Sequence, residues 1–408
     1  MILMFEMTYS GTTHAPGNSQ LAQIVARAMP HHQLRIHADA AHCHELSQDP
    51  DLVALENVRF EPIALPAVHR GAVNVVSAAR FGHEFRTIRA ALAAVPRHEP
   101  CLIILASSTG TEIRAARLAA RLAAGFSGQP AGVLVALHGY LNSAMGWRSG
   151  NPLARRFDLR SMLETSQVGL RYLVFEDSIR RELAQLVPAT AACTDTLPLP
   201  VNTSELSAWR PVPLALPLQV GLVGIATEAK GITPFLQTAR LFRERHGDKV
   251  AFHIVGSRLP GSDPAQFRDI AHEVPVGQVP RSVFLERLAG LHYVFLPMQR
   301  IYYGLSASGA LLDAVTWLKP VIASRLPIVA DMFEAGGDIG HLCDDVAGMQ
   351  AALADILDRM DTARYAGQVE ALRRLRASRA PEALVPLAAR ILGQGFPALA
   401  EAPARPSH

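Results

Sequence analysis

The residues of this chain that could most readily do chemistry lie between Ile301 and Ala323, in the stretch IYYGLSASGALLDAVTWLKPVIA. An apolar helix is predicted to begin after Ser308, and small residues crowd its start: Gly304, Ser306, Ala307, Ser308 and Gly309. The first N–H groups of a helix have no partner inside the helix, and the helix dipole favours a negative charge near them. Because small side chains let a ligand approach these groups, the pattern predicts a phosphate or other anion site.

Ser308 has the side chain of an N-cap, and Asp313 falls about one turn into the predicted helix. Lys319-Pro320 should end the helix before a strand from Val321 to Ala323. An ordinary strand–loop–helix–strand unit, with small residues for close packing, fits the same spacing, and the spacing alone leaves both interpretations open.

A histidine stands at the end of another apolar run. His138, followed by Gly139, comes directly after the predicted buried strand Val133 to Leu137. Ligands of open α/β sheets bind outside the carboxyl ends of strands, so His138 is a candidate for chemistry, although a lone histidine there is often only a hydrogen-bonded loop residue. The following segment, 140–160, contains Trp147 and several arginines, which suit either an anionic ligand or a solvated face.

Histidines and cysteines give little sign of a metal centre. His37, His42 and His44 are close in sequence, but no carboxylate or helical spacing fixes them as a ligand set. The four cysteines are far apart and form no C-x-x-C pair, which is typical of a reducing compartment and excludes a zinc site built from cysteines. The sequence therefore gives no support for a metal centre built from histidine or cysteine.

Composition sets the class of protein. The 408 residues are enough for two or three domains, and 49% hydrophobic with 18% charged residues is ordinary for a soluble α/β protein. A net charge of +3 is too small to argue for nucleic-acid binding. The apolar opening MILMF is followed directly by Glu6, so it is too short to be the apolar region of a signal peptide. No apolar run approaches the ~20 residues that a membrane helix needs. These features predict a cytoplasmic protein, with a peripheral contact to the inner membrane left open, and the Ala/Arg-rich usage is bacterial-like.

The first 200 residues alternate apolar runs with amphipathic stretches, as expected for a parallel sheet wound with helices. The loop from Ser10 to Asn18 should lead from the first strand into a helix from Ser19 to Ala28, and it lacks the G-x-G-x-x-G spacing of a dinucleotide site. The predicted strands are Met1–Tyr9, Leu34–His37, Val58–Leu65, Cys101–Ala106, Val133–Leu137, Leu170–Phe175 and Asp195–Leu199, with helices at Val73–Ala94 and Glu112–Ala124.

A proline-rich stretch from Thr203 to Pro217 has the composition of a linker. A second α/β set follows, with predicted strands at Leu218–Gly224, Val250–Val255 and Tyr293–Leu296 and a helix at Thr233–Arg245. The fold class expected is therefore α/β, with two doubly wound Rossmann-like domains facing each other across a cleft. We place them at residues 1–205, on the acceptor side, and 215–375, with a helix and tail at 376–408 packing back on the first.

The second half resembles the retaining glycosyltransferases of the two-Rossmann GT-B type, in particular the large family numbered four. The resemblance runs in order from Leu218 to Leu342 through LVGIATEAKGITPFLQTARLF, HIVGS, VPVGQVPRSVFLERLAGLHYVFLPM and SGALLDAVTWLKPVIAS. In the first half, only the strand before His138 and the order of elements are similar to that family. The resemblance implies a donor that is a nucleotide diphosphate sugar and no cofactor or obligatory metal.

The resemblance also implies roles for individual residues. Catalytic roles fall to His138, near the transferred sugar, and Lys230, which would neutralise the departing diphosphate. Asp313 would accept hydrogen bonds from the ribose hydroxyls, and the chain from Gly277 to Pro280 would pass close to the nucleobase. The implied donor-binding residues are Gly11, Gly224, Lys230, Gly256, Gly277, Val279, Ser308, Gly309 and Asp313.

Two departures from the family pattern bear on activity. Ile225 stands where the family commonly has an arginine, and Leu305 stands where it has an acid that meets the sugar hydroxyls. Candidates to replace the missing cation, or to contact the acceptor, are Arg148, Arg300 and Arg325.

The function expected is transfer of a sugar, hexosyltransferase-like and with retention, to a glycan or lipid-linked acceptor in polysaccharide or glycoconjugate biosynthesis. Another nucleotide-sugar enzyme of the same fold, such as an epimerase, and a non-catalytic binding subunit are the alternatives. No nucleic-acid partner is expected, and the sequence does not fix the oligomeric state.

Overall fold

The computed structural model describes residues 1–71, 76–97, 99–138, 141–146, 148–165, 168–202 and 211–400. These residues divide into two compact units. The first unit holds residues 1–202 and 305–307 and the chain from residue 380 onward, whereas the second holds residues 211–304 and 308–379. Gly139, Trp147, most of the predicted linker and the last eight residues of the predicted tail lie outside the described residues.

A seven-stranded parallel sheet, counted over the described residues, forms the centre of the first unit. Its spatial order is β3-β2-β1-β4-β5-β6-β7, so the chain reverses direction across the sheet between β1 and β4. The strands are β1 Ile2–Phe5, β2 Leu34–Ala38, β3 Val58–Pro62, β4 Cys101–Leu105, β5 Ala131–Ala136, β6 Leu170–Val174 and β7 Thr194–Thr196. The helices are α1 Ala15–Ala28, α2 Ala40–Leu46, α3 Pro50–Val53, α4 Ala78–Ala93, α5 Gly110–Ser127, α6 Leu141–Gly146, α7 Leu159–Leu163 and α8 Asp177–Leu186.

The core of this unit follows from its apolar runs. Every residue of β1 and β4 is buried, because helices cover both faces of the sheet and each strand is apolar along its whole length. In open α/β sheets, a reversal such as that between β1 and β4 marks where ligands bind, outside the carboxyl ends of the strands.

The second unit repeats this plan around a five-stranded parallel sheet, again counted over the described residues, in the order β12-β11-β10-β8-β9. Its strands are β8 Leu218–Val223, β9 Val250–Val255, β10 Tyr293–Leu296, β11 Val321–Ser324 and β12 Gly340–Cys343. Its helices are α9 Ile232–His246, α10 Arg281–Ala289, α11 Arg300–Tyr303, α12 Gly309–Thr316, α13 Pro327–Gly336, α14 Val346–Arg359 and α15 Thr362–Ser378. Here the direction reverses between β8 and β10.

The chain then contributes α16 Pro381–Gly395 and α17 Pro397–Ala400 to the first unit. Helix α16 packs on α1, where Arg27 pairs with Glu382 at 2.9 Å. The ring of His32 contacts the carbonyl of Leu399 at 3.1 Å.

The predicted α/β class with two Rossmann-like sheets is confirmed. The predicted start of α1 was wrong, since the helix begins at Ala15 and not at Ser19. Pro16 fits the first turn, where its missing N–H costs nothing, and His14 bends the chain into that turn with a left-handed φ of 63°. Strand β12 was not predicted, because its four residues GHLC carry no apolar run. No helix among the described residues is long and apolar enough to span a membrane.

Candidate functional site

Lys230 lies at the carboxyl end of β8 in the second unit. A short 3₁₀ turn, Glu228–Lys230, ends at Gly231, whose left-handed φ of 75° redirects the chain into α9. The Lys230 ammonium donates a hydrogen bond to the carbonyl of Val223 at 3.2 Å. Burial lowers the pKa of Lys230, whereas the charge of Asp313 opposes that shift. The turn therefore holds a cation next to the strand end and within electrostatic reach of the α12 carboxylate.

Two glycines are required by this packing. A Cβ at Gly224 would lie 2.0 Å from the Lys230 ammonium nitrogen. A Cβ at Gly256, the residue after β9, would lie 2.2 Å from the carbonyl oxygen of Gly224. Both glycines also have positive φ angles, 94° and 151°. The absence of a side chain at Gly224 lets Lys230 fold back over the end of β8, and its absence at Gly256 lets the chain after β9 approach the backbone of Gly224.

Helix α12 begins as its sequence predicts. Ser308 is its N-cap, and the Ser308 hydroxyl accepts a hydrogen bond from the N–H of Leu311 at 3.2 Å. A Cβ placed on Gly309 would meet no heavy atom within 4 Å, so the first residue of the helix adjoins open space. Asp313 is half-buried one turn further on. This helix start is accessible to an anion, and the capping prediction is confirmed.

The segment around Gly277 runs beside the chain that follows β8 and β9. Short parallel bridges join Ala226 to Arg258 and Arg258 to Val276. Gly277 has a φ of 85° and is exposed, and Val279 is half-buried. The structure therefore places this segment at the same edge of the sheet as Gly224 and Gly256.

The three candidate arginines have different surroundings. Arg325 donates to Asp344 and to the carbonyl of Leu342, so it joins the ends of β11 and β12. Arg300 is exposed at the first position of α11. Arg148, in the first unit, donates to Glu164 at 2.8 Å. Two of the three proposed substitutes for the missing family arginine are thus engaged with carboxylates.

His138 follows β5 in the first unit and is enclosed by aromatic rings. The ring of His14 lies edge-on to it with centroids 4.6 Å apart, and Phe175 lies edge-on from the end of β6 at 5.3 Å. Burial lowers the pKa of His138 to about 4. This histidine is consequently neutral near pH 7 and can exchange hydrogen bonds without carrying a charge.

The sequence interpretation missed His14. Its ring contacts Tyr9 in a tilted arrangement with centroids 4.1 Å apart, and its Nδ1 lies 3.4 Å from the Ser107 hydroxyl. Burial, followed by the charges of His138 and His42, lowers the pKa of His14 to about 3. Only its place in the loop after the first strand could have indicated His14, because nothing in the spacing relates it to a histidine 124 positions later.

The loop that contains Gly11 is fixed by a buried hydrogen-bond chain. The carbonyl of Gly11 accepts from His42 Nδ1 at 2.9 Å, and Asn18 Nδ2 lies 3.1 Å from His42 Nε2 and 3.0 Å from Glu6 Oε2. The imidazole is therefore the tautomer with its proton on Nδ1, accepting from Asn18 at Nε2. His37 instead stacks on Phe5, and His44 is exposed, so the three clustered histidines of the sequence do not converge. Within the described ranges no group of three or more His, Cys, Asp or Glu side chains could hold a metal ion.

No protein-family model matches the chain, and no curated protein matches it by sequence. Solved structures do match. The Anabaena protein Alr3699/HepE in complex with UDP has a TM-score of 0.63 at 14% identity, covering 96% of this chain and 99% of its own.

Two further structures are similar over nearly their whole length. A glycosyltransferase from Rickettsia africae has a TM-score of 0.65 at 12% identity, with coverage of 97% and 98%. An α,α-trehalose-phosphate synthase (UDP-forming) from Burkholderia vietnamiensis has a TM-score of 0.61 at 12% identity, with coverage of 98% and 99%. At these identities the likeness shows the fold, and that fold is GT-B.

Proposed function

We propose that this chain is a glycosyltransferase that moves a sugar from a nucleotide diphosphate sugar to a glycan or lipid-linked acceptor. The observation that carries the proposal is the arrangement in the second unit, where the half-buried Lys230 lies within electrostatic reach of Asp313, and Ser308 and Gly309 form the start of α12. A cation beside an accessible helix start suits a diphosphate leaving group.

The solved neighbours support the class of donor. HepE was crystallised with UDP, with UDP-glucose, and with UDP and glucose together. We therefore take UDP as the first nucleotide to test and UDP-glucose as the first donor.

The proposed roles divide between the two units. In the second unit, Lys230 stabilises the negative charge that develops on the departing diphosphate, α12 binds the same group through its first N–H groups, and Asp313 accepts from the ribose. In the first unit, neutral His138 exchanges a hydrogen bond with the sugar, and His14 fixes the position of the His138 ring. We further propose that the reaction retains the anomeric configuration, needs no metal, and serves polysaccharide or glycoconjugate assembly.

A non-catalytic binding subunit is a second candidate, favoured by the two departures from the family pattern. Ile225 is 50% exposed where a cation would contact phosphate, and Leu305 is only 5% exposed where an acid would face the sugar. Neither residue can replace the charged contact.

Release of free nucleotide separates the two candidates. We expect purified protein to release UDP from UDP-glucose, or from another member of a nucleotide-sugar panel, only when an acceptor glycan or lipid-linked sugar is added. Binding of UDP with no release across the donor and acceptor panels would favour the binding subunit.

A further inference from the structure

Two histidines of the second unit face each other outside the residues assigned above. His253 lies on β9, and His272 lies in the segment between β9 and α10. Their rings are stacked at an interplanar angle of 25°, with centroids 5.5 Å apart. The two Nδ1 atoms are 3.4 Å apart.

The outward-facing nitrogen of each ring meets an acceptor. His253 Nε2 lies 2.6 Å from Gln219 Oε1, and His272 Nε2 lies 3.0 Å from the carbonyl of Ile254. The Gln219 amide cannot be reversed without loss, because its Nε2 donates to the carbonyl of Pro217 at 2.7 Å. A neutral imidazole has one N–H, and here each ring donates that N–H outward. Both Nδ1 atoms therefore present lone pairs to each other.

A proton shared between the two Nδ1 atoms does not fit their separation. At 3.4 Å the nitrogens are further apart than the ~2.7–3.2 Å of an ordinary hydrogen bond donated by nitrogen.

A metal ion fits the same separation. Two nitrogens at the ~2.0–2.1 Å of a Zn–N bond and a tetrahedral angle are about 3.3–3.4 Å apart. Histidines that bind metals typically donate their other N–H to a carbonyl or carboxylate, which fixes the ring and its tautomer. Gln219 and Ile254 supply such acceptors.

We propose that His253 and His272 bind one divalent transition metal ion, of the Zn²⁺, Ni²⁺ or Cu²⁺ class, through their Nδ1 atoms. Both rings are half-buried, so water completes the coordination. The site is separate from the proposed sugar transfer and does not depend on it. Its structural effect is to join β9 to the segment that leads to Gly277.

Arg287 on α10 opposes metal binding. Its charge interacts electrostatically with both rings, so it would repel a cation bound between them. Its Nη1 is buried without a hydrogen-bond partner in the part of the chain that the structure describes. Removing this charge should increase the affinity for the metal, whereas removing a histidine ligand should decrease it. The proposal can therefore be tested in both directions.

The experiment is a titration of metal-stripped, full-length protein with Zn²⁺ in competition with a chromophoric chelator. We expect one site whose affinity falls at least ~10-fold in His253→Gln and in His272→Gln, and by ~10–100-fold in Gln219→Ala, which removes the outer partner. His44→Gln, at an exposed histidine of the first unit, is the matched control and should leave the affinity unchanged. Arg287→Gln should bind Zn²⁺ more tightly than wild type.

Equal Zn²⁺ affinity in wild type and the His253→Gln, His272→Gln double variant would overturn the proposal, as would weaker binding by Arg287→Gln. Thermal melts of the metal-free variants identify any that fail to fold. Nitrogen NMR of the wild type does not depend on those variants: Zn²⁺ should shift both Nδ1 resonances, and a protonated Nδ1 on either ring at pH 7 in metal-free protein would contradict the account.

Discussion

Lys230 is the residue on which the proposed chemistry depends most. Its ammonium is held against the end of β8 by the Val223 carbonyl, and Gly224 makes room for it. A charge held in place before the reaction stabilises a leaving diphosphate without reorganisation, which is the source of its expected catalytic value.

Lys230→Ala should therefore fold normally and lose roughly 100-fold or more in kcat, the scale for one preorganised contact to developing charge. Initial rates with saturating donor, beside a thermal melt, measure this. Near-normal turnover would remove Lys230 from the site.

Gly224→Ala tests the same cation without deleting it. The new Cβ would displace the Lys230 ammonium, so turnover should fall nearly as far as in Lys230→Ala. Gly261→Ala is the control, because Gly261 also has a positive φ, 81°, but no heavy atom within 4 Å of its Cβ position. Both variants carry backbone strain, and only Gly224→Ala should lose activity beyond its loss of stability.

His138 should show no titration near its ordinary pKa. Because burial lowers its pKa to about 4, the unfolded chain binds a proton between about pH 4 and 6.5 that the folded chain does not. The contribution of His138 to the free energy of unfolding is thus present above pH 6.5 and falls as the pH drops towards 4. The pH profile of kcat/KM should therefore show no fall on its acid side near pH 6.5 that is caused by His138. A fall there in wild type that disappears in His138→Gln would show that the charged imidazole forms in the working enzyme.

At the level of helices and strands, apolar runs predicted most of both sheets. Strands such as β4 and β9 were found within one residue of their expected bounds, because continuous apolar sequence between polar loops leaves little alternative. The start of α1 and the strand β12 were harder, since one depends on a left-handed histidine and the other on pairing with β11.

The site residues also divide into those that the sequence could predict and those that it could not. Ser308 could be identified as a cap because capping is local in sequence. Two contacts could not be predicted, because they depend on which strand ends are neighbours in the sheet: that between His14 and His138 and that between Arg325 and Asp344.

Two helix caps in the second unit allow an effect on stability to be distinguished from an effect on UDP binding. Ser308 caps α12 and Asp345 caps α14, where its side chain accepts from the N–H of Gly348 at 2.7 Å. Ser308→Ala and Asp345→Ala should each lower the free energy of unfolding by ~1 kcal/mol. Only Ser308→Ala should also weaken UDP binding, measured by calorimetry. Equal UDP affinity in the two variants would place the diphosphate elsewhere.

On the scale of the whole molecule, the account predicts transfer without a metal. Lys230 and the start of α12 supply the charge stabilisation that Mg²⁺ would otherwise give, so initial rates should be unchanged by EDTA. A thermal melt of the chelated protein, measured beside the rates, follows the histidine pair of the second unit, which would lose its ion without effect on the rate. Complete loss of activity with EDTA and rescue by Mn²⁺ or Mg²⁺ would mean that the leaving-group chemistry is wrong.

The most direct test of the central claim is a calorimetric titration of wild type, Asp313→Asn and His138→Ala with the nucleoside diphosphate, beginning with UDP. The account assigns nucleotide binding to the second unit and contact with the sugar to the first. Asp313→Asn should weaken binding by ~1–3 kcal/mol, as expected for a hydrogen bond to a charged group. His138→Ala should bind UDP almost as wild type does, while its turnover falls strongly. Loss of UDP binding in His138→Ala, or unchanged binding in Asp313→Asn, would contradict this division.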